Sequence, residues 1–287
     1  MGMLSFIADG LEGFRRWRHE HFVVFVRNLE TGRTRQMPSP RYGYYADPFI
    51  WVKDGRIWLF VEEFMFASNR GRITVLELSA DLSVISKRPV AFADDASRID
   101  CHASFPFLFE HDGAIYMLPE TGQRNSINLY VCVEWPYLWK KQRRLLAANA
   151  ADTMMFNHGQ MWWLITSLRS SQHRVLAVYT LNDLLTSEPV PHPVNARKLF
   201  NDIATGTGRN AGMVFKRTDG HWGRLMQDSR DIYGQGSRWL KITKLSATAF
   251  EELPGGAPPA LCAVPEILGG HHASQSGALV AYDKRTR

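Results

Sequence analysis

Residues 44–63 read YYADPFIWVKDGRIWLFVEE, two apolar β-prone runs on either side of Lys53-Asp54-Gly55. A glycine closing so short a turn supplies the positive φ that a tight hairpin needs, so the stretch predicts two antiparallel strands. The same pattern returns as SFPFLFEHDGAIYMLPE at 104–120, ADTMMFNHGQMWWLIT at 151–166 and NAGMVFKRTDGHWGRLMQ at 210–227. With Gly55, Gly113, Gly159 and Gly220 superimposed, Trp58, Tyr116 and Trp162 fall at one position and Glu62, Glu120, Thr166 and Gln227 at another. The chain therefore carries an internal repeat, and its aromatic positions read as packing between repeats rather than as sugar platforms.

Repeats of this length suit small four-stranded sheets with variable loops and are long for a solenoid. The strand-like HFVVFVRN near the N-terminus and HHASQSGALVAYD at 271–283 each look like part of a further unit. Joining them closes a ring and removes exposed sheet edges, so the expected fold is all-β, a five-bladed β-propeller whose last blade is built from both ends of the chain. The expected domains are an N-terminal extension at 1–21 and a single propeller at 22–287. Blade one is expected over Tyr44 to Phe92, with VISKRPVAFA as its outer strand.

The composition restricts partners more than chemistry. With 45% hydrophobic residues in 287, the chain can bury one sizeable core. Its net charge of +6 is spread along the sequence, which predicts weak attraction to phosphate or acidic glycan and no nucleic-acid partner. Cys101, Cys132 and Cys262 lack paired or metal-like spacing and read as buried free thiols of a cytoplasmic protein. No run is long and apolar enough for a transmembrane segment. Arg15, Arg16, Trp17 and Arg18 allow at most a weak peripheral contact with a membrane, a solvated helix end being the simpler reading.

In a propeller the innermost strands surround an axis, so residues opening those strands converge on one funnel. Asp47, Ser104 with Phe105, Asp152, Asn210 and the His271–Ser274 segment open the five, and His102 stands with Ser104 at the start of blade two. Two carboxylates from separate blades are what glycoside chemistry commonly uses, one to activate water or an acceptor hydroxyl and one to assist the leaving oxygen.

The segments ADPFIWVKDGRIWLF and ADTMMFNHGQMWWLIT resemble the blade-one and blade-three motifs of five-bladed glycosidases such as glycoside hydrolase family 43. That resemblance implies Asp47 as general base and Asp152 as the carboxylate that tunes the acid. A resemblance over 22–287 is closer still, to the propeller domain at the N-terminus of glucosamine inositolphosphorylceramide transferases and its bacterial relatives. It rests on ADPFIWV, HASFPFLFEHDGAIYMLPET, ADTMMFNHGQMWWL, GRNAGMVFK, LMQDSRDIYGQG and GGHHAS. Where the glycosidases carry their acid, as Glu-Gly-Pro, this sequence has Arg209, Asn210, Ala211 and Gly212. Glu120 is then the candidate acid, with Glu62 and Asp228 behind it. Alternatively a phosphate leaving group departs unprotonated, held by Arg209.

The candidate catalytic set is Asp47, Asp152 and Glu120. Candidate substrate contacts are Glu62, His102, Arg209, Asn210, Gln227, Asp228, His271 and His272. No metal or cofactor is expected, although histidines beside the axis leave room for a structural ion. The expected partner is a glycan or activated sugar, including a phosphate-containing donor. The expected function is action on a glycosidic bond, as hydrolase or transferase, in surface polysaccharide or glycolipid metabolism. The alternative is a glycan-binding module that works beside a glycosyltransferase.

Overall fold

The computed structural model describes residues 21–93, 101–121, 124–170, 173–197, 208–229 and 233–286. The expected N-terminal extension and its basic cluster lie outside them, except for His21.

The described residues form five sheets, antiparallel except for one parallel pair in blade two. Blade one orders β3 (Gly43–Lys53), β4 (Arg56–Met65), β5 (Arg70–Leu78) and β6 (Val84–Pro89) from the axis outward. Blade two is β8 (Ser104–His111), β9 (Ala114–Glu120), β10 (Ile127–Glu134) and β11 (Leu138–Leu146). The short β7 (Ala91–Phe92) joins this sheet, parallel to β11. Blade three is β12 (Ala150–His158), β13 (Met161–Ser170), β14 (His173–Leu181) and β15 (Val190–Pro191). Blade four is β16 (Asn210–Lys216), β17 (Trp222–Asp228), β18 (Gly236–Leu245) and β19 (Phe250–Pro254). In the last blade β20 (Ala273–Ser276) and β21 (Leu279–Arg285) continue onto β1 (Phe22–Asn28) and β2 (Thr34–Gln36). The expected closure by both chain ends is thus present, β1 pairing with β21 from Phe22 opposite Arg285 to Asn28 opposite Leu279.

The first strands touch in the cycle β3, β8, β12, β16, β20 and back to β3, so they form the inner ring. Burial follows from that position. From Gly43 to Ile50 every residue of β3 is buried, since one face meets the axis and the other a neighbouring blade. The outer β6 is largely exposed, and β11 mixes exposed residues with buried Trp139 and Leu145. Trp162 packs on Phe109 of blade two with ring centroids 5.5 Å apart, and Trp58 meets Trp135 at 6.3 Å, which confirms the inter-blade role of these aromatics.

Three readings need correction. Blade one ends at Pro89, and Ala91–Phe92 belongs to blade two because the amides of Ala91 and Ala93 donate to Tyr137 and Trp139. In the third hairpin the turn is Gly159-Gln160, with φ of 61° and 62°, matching Asp54-Gly55 at 52° and 72°. Both central residues of such a turn need positive φ, so Gln160 occupies the place of Gly55, and Trp163 and Ser167 are the counterparts of Trp58 and Glu62. Finally, Cys101 and Cys132 are half-buried and Cys262 is exposed, all three as free thiols.

Leu59 is fully enclosed in β4. Leu59→Ala should cost about 2–5 kcal/mol, read from urea unfolding at constant slope. Removing residues 1–30 should lower the thermal midpoint and produce oligomers by size-exclusion chromatography, because β21 then presents an open edge.

Candidate functional site

The site begins with a backbone irregularity. Each of the first four inner strands shifts register near its start, after Ala46, Ser104, Ala151 and Asn210. The bulged residues Asp47, Phe105 and Asp152 adopt φ of 49°, 46° and 52°, a region costly for side chains other than glycine and concentrated at functional sites. A bulge turns an amide out of its ladder, and a buried amide needs an acceptor.

Here the acceptor comes from the preceding blade each time. Asp47 N–H donates to Asp283 Oδ2 at 3.0 Å, Phe105 N–H to Asp47 Oδ2 at 3.1 Å, and Asp152 N–H to Glu120 Oε2 at 3.2 Å. Blade four is joined differently. The Asn210 amide group donates to the carbonyls of Asp152 at 2.6 Å and Ile165 at 3.0 Å, and its Oδ1 accepts from Arg224.

Around these bonds two charged groups form. In one, Asp283 accepts from His271 Nδ1 at 2.8 Å and from the amides of His271 and His272, while His271 Nε2 lies 3.4 Å from Asp47 Oδ1. His271 stacks on Phe22 with centroids 4.4 Å apart. Asp283 is fully buried, and despite that burial His271 holds its carboxyl below the usual range. Burial also works against a charged His271, yet Asp283 and Asp47 keep its pKa above that of free imidazole. Burial pushes Asp47 up to about 7, His271 opposing and Asp283 and Asp152 reinforcing the shift. In the other group, Arg209 grips Asp152 through Nε at 2.6 Å and Nη2 at 3.1 Å and lies under the Tyr233 ring, 5.0 Å from its centroid. Glu120 is pushed up to about 7 by burial and then by Asp152, with Arg209 and Arg174 opposing. Asp47, Asp152, Glu120 and Arg209 thus sense one another's charge across one funnel, as the ring geometry predicts.

The remaining predicted contacts divide. Arg209 spends Nε and Nη2 on Asp152 rather than presenting its whole fork to a ligand. Asn210 and Gln227 are fully buried staples, Gln227 donating to the Asn210 carbonyl at 3.0 Å. Asp228 pairs with Arg238 at 3.1 Å within blade four. Buried Glu62 lies 3.4 Å from His102, whose Nδ1 accepts from Gly71 N–H at 2.9 Å. His272 is sealed between Phe49, Phe105 and Gly212, and burial lowers its pKa to about 3. That ring is fully buried. Asp283, Tyr233 and Arg174 were missed by sequence reasoning. For Asp283 the available signal was one acid ending the apolar run LVAY.

Asp47, His271 and Asp283 are also the described residues whose donor atoms approach closely enough for a cation. The donor set fits one poorly, because Nδ1 of His271 and both Asp283 oxygens are already engaged in hydrogen bonds. A separate cavity of about 290 Å³ is lined by Phe49, Phe107, Met155 and Met213 together with Glu110 and Gln275.

Residues 26–257 match the family described as "Glucosamine inositolphosphorylceramide transferase 1, N-terminal". The chain belongs to this family. It is 31% identical over 261 residues to Glucosamine inositolphosphorylceramide transferase 1 of Arabidopsis thaliana, covering 88% of this chain and 32% of that protein. The namesake from Oryza sativa subsp. japonica is 28% identical over 74% of this chain and 28% of its own length. This chain therefore spans about a third of these relatives. Among solved structures, a glycoside hydrolase family 43 protein from Bacillus licheniformis superimposes with a TM-score of 0.53 at 12% identity, covering 79% of this chain and 50% of that one. A family 43 β-1,3-galactosidase gives 0.51 at 11% identity, over 73% and 75%. At such identities the likeness establishes the propeller fold.

Glu120 binds its proton more tightly in the folded protein than its ordinary value of 4.5 allows unfolded. Its contribution to stability is thus full below about pH 4.5 and is lost as pH rises through about 7. Glu120→Gln keeps an acceptor for the Asp152 amide and does not titrate. The unfolding free energy of this variant minus that of the wild type should therefore grow more positive from pH 5 to pH 8, in paired urea titrations.

Proposed function

We propose that this propeller acts on a glycosidic bond, with Asp47 as general base, Glu120 as general acid and Asp152 setting the charge between them. The observation that carries the reading is the pair Asp47 and Glu120. They come from separate blades, both are held near neutrality, and both flank the Arg209–Asp152 ion pair. A base must be able to lose its proton and an acid to keep one at the working pH, which two groups near 7 satisfy. Both Asp152 oxygens accept from Arg209, and the negative charge of this carboxylate beside Glu120 favours the protonated form of Glu120. His271, bridging Asp283 and Asp47, fixes the orientation of the base.

The substrate class is a sugar or activated sugar, by kinship with relatives named glucosamine inositolphosphorylceramide transferases and by the propeller shared with glycoside hydrolases. Surface polysaccharide or glycolipid metabolism and a cytoplasmic setting belong to the same proposal. One observation favours a second reading, a glycan-binding module partnering a glycosyltransferase. Where the glycosidases carry their blade-four acid this sequence has Arg209, Asn210, Ala211 and Gly212, with Arg209 committed to Asp152, in a chain that corresponds to one part of much longer transferases.

Asp47→Asn should reduce turnover of a sugar substrate at least a hundredfold, as loss of a general base typically does, with the thermal midpoint at pH 7 nearly unchanged. Mass spectrometry of products from aryl glycosides and nucleotide sugars, with and without acceptor, separates hydrolysis from transfer. Full turnover in both Asp47→Asn and Glu120→Gln would refute the acid–base reading, and unaltered sugar binding with no turnover in any form would establish the binding module.

A further inference from the structure

The hairpin of β13 and β14 places Arg169 directly opposite Arg174. The register thus brings two guanidinium-bearing residues of one hairpin together beside the funnel. Arg174 is half-buried, and its Nη1 donates to the Ser167 carbonyl at 3.2 Å and to Asn149 Oδ1 at 3.4 Å. These are neutral acceptors that aim the guanidinium without cancelling its charge. Among the described residues no carboxylate lies within ion-pair distance of it, while Arg209, Glu120 and Asp152 are all close enough to affect it. Arg209 is already matched to Asp152. Beside Arg174, the hydroxyl of fully buried Ser167 finds no hydrogen-bond partner among the described residues. Ser167 stands where blades one and two carry Glu62 and Glu120, so blade three has exchanged a carboxylate for a small neutral donor just where a second arginine arrives.

We propose that Arg174 forms an anion subsite of the funnel, which takes the phosphoryl or carboxylate group of an acidic sugar. The inference rests on the sugar-handling reading above and narrows its substrate class. A planar guanidinium held from one side by neutral oxygens keeps its remaining N–H groups for two oxygens of an anion. Neutral sugars gain nothing from it.

The test is calorimetric titration of the intact protein with glucose 1-phosphate, glucuronate, methyl glucoside and inorganic phosphate, repeated with Arg174→Gln and Arg174→Lys. The wild type should bind the two acidic sugars at least tenfold more tightly than methyl glucoside. Arg174→Gln should erase that preference and leave methyl glucoside binding unchanged, and Arg174→Lys should keep part of it. Binding of glucose 1-phosphate and inorganic phosphate without glucuronate identifies the group as phosphoryl, and binding of both acidic sugars extends it to carboxylates; each supports the subsite. Equal binding of acidic and neutral sugars, an Arg174→Gln variant that keeps the wild-type preference with an unaltered thermal midpoint, or no binding of any acidic probe overturns it. An Arg174-dependent preference alongside full turnover in Asp47→Asn would remove the acid–base reading and leave this subsite standing.

Discussion

A backbone amide that leaves its ladder inside a protein must find an acceptor, and in this propeller it finds a carboxylate sent from the blade before. Asp283 serves Asp47, Asp47 serves Phe105, and Glu120 serves Asp152. These bonds span 236, 58 and 32 positions of sequence, so they are seams between blades as much as caps. The first of them also crosses the closure, since Asp283 lies in the strand that pairs with β1. The same carboxylates that satisfy the bulges thereby become the acids of the funnel.

That double duty explains the electrostatics. Buried carboxylates are costly unless partnered, and each receives only part of what it needs from a neighbouring amide. Asp283 gains His271, Asp152 gains Arg209, and Asp47 and Glu120 are left with the weakest compensation, which is why these two move toward neutrality. A chain selected for stability alone has a simpler remedy, glycine at the bulge and no carboxylate. Blade four shows how close the fold comes to it, with Gly212 at φ 90° and a neutral asparagine seam.

Much of this was readable beforehand. Turn glycines and flanking aromatics exposed the hairpins and so placed Asp47 and Asp152 at the starts of inner strands; the bulges there were not foreseen, although aspartate tolerates left-handed backbone better than most residues. What escaped depended on pairing between distant segments. His-Ala-Ser occurs twice, yet His102 accepts from a blade-one amide while His272 is enclosed by aromatic rings, since identical tripeptides meet different neighbours. Asn210 reads as a polar tip for sugar and is a staple between blades three and four. Arg174 carried no local signal at all, because only the β13–β14 register and the route of β12 bring it to Glu120 and Arg209. The slip at Gln160 came from trusting glycine alone to mark a turn whose second residue needs the same backbone.

The central claim is that carboxylates of separate blades share one electrostatic environment through these seams. Carbon-detected NMR titration of the Asp47 carboxyl, in the wild type and in Asp152→Asn, measures it most directly. The account predicts a midpoint near 7 in the wild type that falls in the variant, where a neighbouring negative charge has gone and Arg209 is released from its partner. A midpoint near the ordinary 3.8, unmoved by the substitution, would contradict it.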